Sequence, residues 1–101
     1  MITYKQTFKQ QDLDSIIISG HALFADYGND IVCAAVSTAV IVTINAIESL
    51  NEKQNIKVII EEGYVEIEVL KSTKIIKGLL SNLTYSLNDI KIQFPNHLKE
   101  E

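Results

Sequence analysis

Arginine is absent from this 101-residue chain, so its nine basic residues are all lysines, outnumbered by thirteen carboxylates. The resulting net charge of -4 and pI near 5.1 leave no electrostatic footprint for gripping nucleic acid or an anionic membrane. A lone cysteine rules out an intrachain disulfide. Small secreted domains ordinarily need several such bridges, so a cytoplasmic, reducing home is expected. Two histidines and one thiol cannot assemble a zinc site, and no glycine-rich phosphate loop occurs, so neither metal nor cofactor is expected. The first ten residues (MITYKQTFKQ) alternate polar and apolar and lack the apolar run and cleavage site of an export signal. The missing arginine, together with abundant Ile and Asn, fits AT-rich codon usage and points to a low-GC bacterium.

What is present is an ordinary folding composition, 47% apolar and 22% charged, at a length suited to a single domain over residues 1–101. Ile2, Tyr4 and Phe8 alternate with Thr3, Lys5, Thr7 and Lys9, the two-residue period of a half-buried strand. After a polar turn at Gln10-Gln11-Asp12, Leu13 to Gly20 supplies a second strand that pairs back as a hairpin. Residues His21 to Asn29 hold no period, and Tyr27-Gly28-Asn29 carries turn chemistry, so a loop is expected there. The uncharged run Ile31 to Ile47 lacks basic flanking anchors and contains Ser37, Thr38, Thr43 and Asn45, so it reads as a buried core helix, not a membrane span. That helix is expected to be N-capped by Asp30 and to reach about Leu50. Its lack of a charged face suggests burial on more than one side, and a subunit interface can supply the second.

Ile56 to Glu61 and Tyr64 to Leu70 form a second hairpin across Glu62-Gly63, with Val65, Ile67 and Val69 turned inward. From Ser72 or Thr73 onward, Ile76, Leu79, Leu80, Leu83, Leu87 and Ile90 make one amphipathic stripe, the mark of a second helix. Pro95 ends it, and residues 96–101 read as a loose polar tail. The expected architecture is α/β of the α+β type, a two-layer ββαββα sandwich whose four-stranded sheet carries two helices on one face.

With Asp30 as cap, Cys33 falls in the first helical turn, where unpaired N–H groups and the helix dipole favour thiolate over thiol. A small buried core residue is the competing reading of Cys33. His21 follows Gly20 at the start of the loop that leads back to this helix, so an imidazole can meet the sulfur, stabilise the ion pair and deliver a proton to a leaving amine. Asp30 can cap the helix or orient His21, and Ser37 lies one turn beyond Cys33 on the same side. Gly20 and Gly28 bracket the loop as possible hinges. Three classes stay open on these residues alone: a cysteine hydrolase, a thiol redox sensor that needs no His21, and a non-enzymatic ribosome-assembly or interaction module.

The string Gly20-His21-Ala22, then Tyr27-Gly28-Asn29-Asp30-Ile31-Val32-Cys33-Ala34-Ala35-Val36-Ser37, then Asn45-Ala46, closely resembles the ribosomal-processing cysteine protease family Prp, also called the YsxB family. The resemblance implies a homodimeric cytoplasmic protease that removes a short N-terminal extension from a large-subunit ribosomal protein, allowing that protein to enter the ribosome. It places the family's catalytic His and Cys on His21 and Cys33, and its motif Asp and Ser on Asp30 and Ser37. Gly20, Ala22, Tyr27 and Gly28 then belong to the substrate loop, and neither nucleic acid nor membrane is a partner.

Overall fold

In a computed structural model, which describes residues 1–20 and 27–101 and only the backbone of 27–30, the chain folds as an α+β sandwich. Strands β1 (Ile2–Lys9) and β2 (Asp12–Ser19) form the first hairpin. Its two-residue turn holds Gln10 and Gln11 at φ 53° and 73°. Positive φ at both central positions matches the right-handed twist of the flanking strands, although Asn and Gly adopt it more cheaply than Gln. Helix α1 (Tyr27–Ser49) follows, then a 3-10 turn Lys53–Asn55, the hairpin β3 (Ile56–Glu61) and β4 (Tyr64–Val69), helix α2 (Lys74–Gln93) and strand β5 (Leu98–Glu100).

Among the described residues the sheet has five strands in the order β3-β4-β2-β1-β5, one more than expected. The extra strand comes from the supposed polar tail: Leu98 and its neighbours pair in parallel with Ile2, Thr3 and Tyr4, and the Ile2 amide donates to the His97 carbonyl at 3.0 Å. Leu98 is fully buried, and one apolar side chain in a polar stretch suffices to dock the terminus.

Ile2 and Tyr4 of β1, Ile16 and Ile18 of β2, Ile67 of β4 and Ile56 of β3 are buried on one side of the sheet. The other side carries hydroxyl pairs, Thr3 with Ser19 and Thr7 with Ser15, beside Glu66 and Glu68. Both helices lie on the apolar side. Helix α2 buries Ile76, Leu80, Leu83 and Leu87, and its Thr84 hydroxyl donates to Gln6 of β1 at 3.3 Å. Helix α1 buries Val32, Val36, Val40, Thr43 and Ile47. Thr73 caps α2 by accepting from the Ile76 amide at 3.2 Å and donates to Glu52, which also accepts from Asn55, so the two helices' ends are tied together.

Helix α1 begins one turn earlier than Asp30 would set it. Tyr27 to Asn29 are helical, not a turn, and Asp30 is the fourth helical residue rather than the cap. Extending an established helix adds a hydrogen bond for each residue fixed, and Gly28 in the first turn costs about 1 kcal/mol at most.

Candidate active site

Where the N-terminal half of α1 crosses the ends of β1, β2 and the β3–β4 hairpin, the layers part around a cavity of about 280 Å³. Cys33, Ser37 and Ile41, four residues apart, line it from α1. Ile18, Ile60 and Val65 line it from the sheet. Cys33 is half-buried and the thiol is free. Among the described residues, the polar side chains in the cavity's largely apolar wall are Ser19, Ser37, Glu61 and Tyr64, beside the Cys33 thiol.

Gly20 closes one end of the cavity, at φ 121°. A Cβ there would collide with the Met1 carbonyl oxygen and crowd Ile2. The Gly20 amide donates to the Gly63 carbonyl at 3.0 Å, which joins the end of β2 to the β3–β4 turn. Nearby on the solvent side, the Tyr64 hydroxyl donates to Glu66 at 2.7 Å. That bond, with smaller contributions from desolvation and the charges of Glu66 and Glu61, raises the Tyr64 phenol above its usual range.

Among the residues singled out in the sequence, Gly20, Cys33 and Ser37 thus meet at one cavity. His21 and Ala22 lie outside the described residues. Tyr27, Gly28 and Asp30 stand in the first turn of α1, which corrects the placement of Cys33: it is in the second turn, where its amide belongs to the helical ladder. The unpaired amides are those of the first turn, one turn away from Cys33, and the influence of the dipole falls off within that turn. Ile18, Ile41 and Ile60 were not foreseen as site residues, since nothing in their local pattern distinguishes them from core positions.

A half-buried thiol on a rigid helix, facing an apolar recess open to solvent, is a suitable nucleophile for a bound peptide. The family model of cysteine protease Prp matches residues 1–99. The chain belongs to the Prp family. A Prp crystal structure from S. aureus, described as an essential ribosomal processing protease in complex with a covalently linked product peptide, is 25% identical, with a TM-score of 0.88 over 100% of this chain and 98% of that one. The S. aureus Prp in complex with a substrate peptide shares the fold at 23% identity and a TM-score of 0.85, again over 100% and 98% of the two chains. SMU.848 from Streptococcus mutans is 26% identical, with a TM-score of 0.81 over 100% of this chain and 92% of that one. No curated protein matches the sequence. Membership of the Prp family makes the cavity beside Cys33 the place to look for a proteolytic centre.

Proposed function

We propose that this chain is a cysteine endopeptidase that removes the short N-terminal extension of a bacterial large-subunit ribosomal protein, working as a homodimer in the cytoplasm. The observation that carries the reading is the position of Cys33 in the wall of an open apolar cavity, in a Prp-family chain similar to a ribosomal processing protease. Gly20, which precedes His21 in the chain, lines the same cavity and supports a dyad of His21 and Cys33.

In this mechanism the Cys33 thiolate attacks the scissile carbonyl and forms the S–C bond. The C–N bond then breaks as His21 gives its proton to the departing amine. Water hydrolyses the thioester, releasing a carboxylate and restoring the thiol. Backbone N–H groups of the first turn of α1 are the proposed oxyanion donors, each able to contribute on the order of 3 kcal/mol to the transition state. Asp30, no longer the cap, orients His21 in this scheme, and Ser37 hydrogen-bonds the substrate main chain. The net charge of -4 suits a basic ribosomal protein as substrate.

Incubating the purified chain with N-terminally extended large-subunit ribosomal proteins, followed by intact-mass measurement, tests the reading. Loss of one short N-terminal peptide is the expected result, with Cys33→Ala inactive and His21→Ala slowed about 100-fold or more. Equal processing by Cys33→Ala would remove the assignment. The pH dependence of iodoacetamide alkylation at Cys33, compared with His21→Ala, separates a dyad from an isolated thiol.

A further inference from the structure

Both helices lie on the apolar side of the sheet, which leaves its outer side without a covering layer among the described residues. Strand register sets three rows across that outer side. One runs Lys99, Thr3, Ser19, Tyr64, Glu61 over all five strands. The next is Lys5, Ile17, Glu66, Ile59, and the third is Thr7, Ser15, Glu68, Lys57. The charges are sorted by strand: Glu61, Glu66 and Glu68 stand on β3 and β4, with Glu62 in the turn beside them, while Lys5 and Lys99 stand on β1 and β5. Opposite charges facing each other on neighbouring strands stabilise a sheet, yet Lys5 and Glu66 are both set against Ile17, two strand spacings or about 10 Å apart. The ion pairs among the described residues, Lys77 with Asp12 and Lys91 with Glu100, use none of the β3 and β4 carboxylates. Ile17 and Ile59 are half-buried between the charges, so the face has an apolar floor as well as a sign.

We infer that the outer face of β3 and β4 is a docking surface for a Lys- and Arg-rich segment of the mature ribosomal protein, held there while Cys33 cuts the extension away. The inference rests on the proteolytic reading above. A protein that enters the ribosome meets RNA phosphates and neutralises them with lysine and arginine, the charge that the β3–β4 half attracts. Lys5 and Lys99 repel the same segment and confine it to that half. Glu61 and Tyr64 border the cavity at Cys33 as well as this face, so the two surfaces are continuous. Glu68, four residues along β4 from Tyr64, is about 13 Å farther on, the reach of about four extended residues. A short basic stretch close to the cleaved bond therefore spans the face.

The test compares kcat and KM for an N-terminally extended ribosomal protein with those for a peptide that spans the cleaved bond and has every Lys and Arg replaced by Gln. The unaltered chain is set beside Glu68→Lys, Glu68→Gln and Asp89→Lys, the last making the same change of charge on the exposed side of α2. The unaltered chain is expected to have the lower KM for the protein. Glu68→Lys is expected to raise that KM about tenfold or more at low salt, with kcat and peptide cleavage unchanged, and Glu68→Gln to do so more weakly. Added salt is expected to shrink the difference, because it screens a surface attraction. Equal KM for protein and peptide in the unaltered chain overturns the docking face and leaves the protease reading standing. An equal loss from Asp89→Lys reduces the effect to net charge and overturns it too, as does an equal loss on the peptide or no loss from Glu68→Gln, which decides alone if Glu68→Lys does not fold. A Glu68→Gln chain with an altered sedimentation coefficient marks the face as a contact between copies, and the proposal falls. If the unaltered chain cleaves neither substrate, the proteolytic reading and the docking face fall together.

Discussion

At the scale of single residues, two positions show how tightly the site end of the molecule is built. Gly20 holds a φ that side-chain-bearing residues avoid and sits where a Cβ would strike Met1, so Gly20→Ala has both a backbone and a steric cost. Loss of about 2 kcal/mol or more of unfolding free energy in urea is expected, with proteolytic activity falling further than the stability loss explains, because the same residue shapes the Cys33 cavity. A loss confined to stability would separate Gly20 from function. Tyr4 is almost fully buried beneath the helices, and its phenol is raised above the usual value near 10 by desolvation and, secondarily, by the charge of Glu100. A raised folded-state value favours the protonated phenol in the native chain. Its contribution to stability is therefore complete below about pH 10 and is lost as pH rises through the folded value. Urea unfolding between pH 9 and 12 is expected to show a steep decline for the native chain and a shallower one for Tyr4→Phe.

At the scale of elements, α2 contains a correctable defect. Gly78 is exposed in mid-helix, and an added Cβ meets nothing within 4 Å, so Gly78→Ala relieves the entropic cost of glycine without a clash. A gain of about 1 kcal/mol and a rise in Tm of roughly 4–8 °C, read by calorimetry, is the expected outcome. The amphipathic stripe that makes Gly78 tolerable also made α2 plain in the sequence, and the inward Val65, Ile67 and Val69 did the same for the second hairpin. Both depend on contacts between near neighbours in the chain. Strand β5 was hidden because its partner, β1, is at the other end of the sequence and its own three residues carry a single apolar side chain. The start of α1 was misplaced because Asp30 has the chemistry of a cap while the preceding Tyr27-Gly28-Asn29 has that of a turn, and the sandwich overrides both. Cys33 was legible as a candidate from its uniqueness and its helix. The cavity around it was not, since Ile18, Ile41 and Ile60 converge only after the non-local pairing of β2 with β4 and the packing of α1 on the sheet.

At the scale of the whole molecule, α1 presents a problem that the sandwich alone does not solve. Its segment Ile31–Ser49 is long and apolar enough to cross a membrane, with a mean hydropathy of 2.0. Val32, Val36, Val40 and Ile47, however, are sealed against the sheet and α2, so insertion into lipid would require dismantling the core. What remains outward is a second stripe, with Ile31 at 41% and Val42 at 60% exposure and the small residues Ala34 and Thr38 between them. Small side chains let two helices approach closely, and a twofold axis passing over this stripe would bring it against its own copy, giving one self-complementary contact. Ile41, three residues beyond Thr38, borders this stripe, so a dimer formed this way lies beside the mouth of the cavity. Analytical ultracentrifugation of the unaltered chain is expected to give a species of twice 11.3 kDa at micromolar concentration. Val42→Lys, which places a charge on each side of the axis, is expected to weaken that association about 100-fold or more while leaving the circular dichroism spectrum of the monomer intact. A chain that sediments as a monomer across the whole concentration range, or a Val42→Lys chain that associates as strongly as the original, would show that this stripe is not where two copies meet.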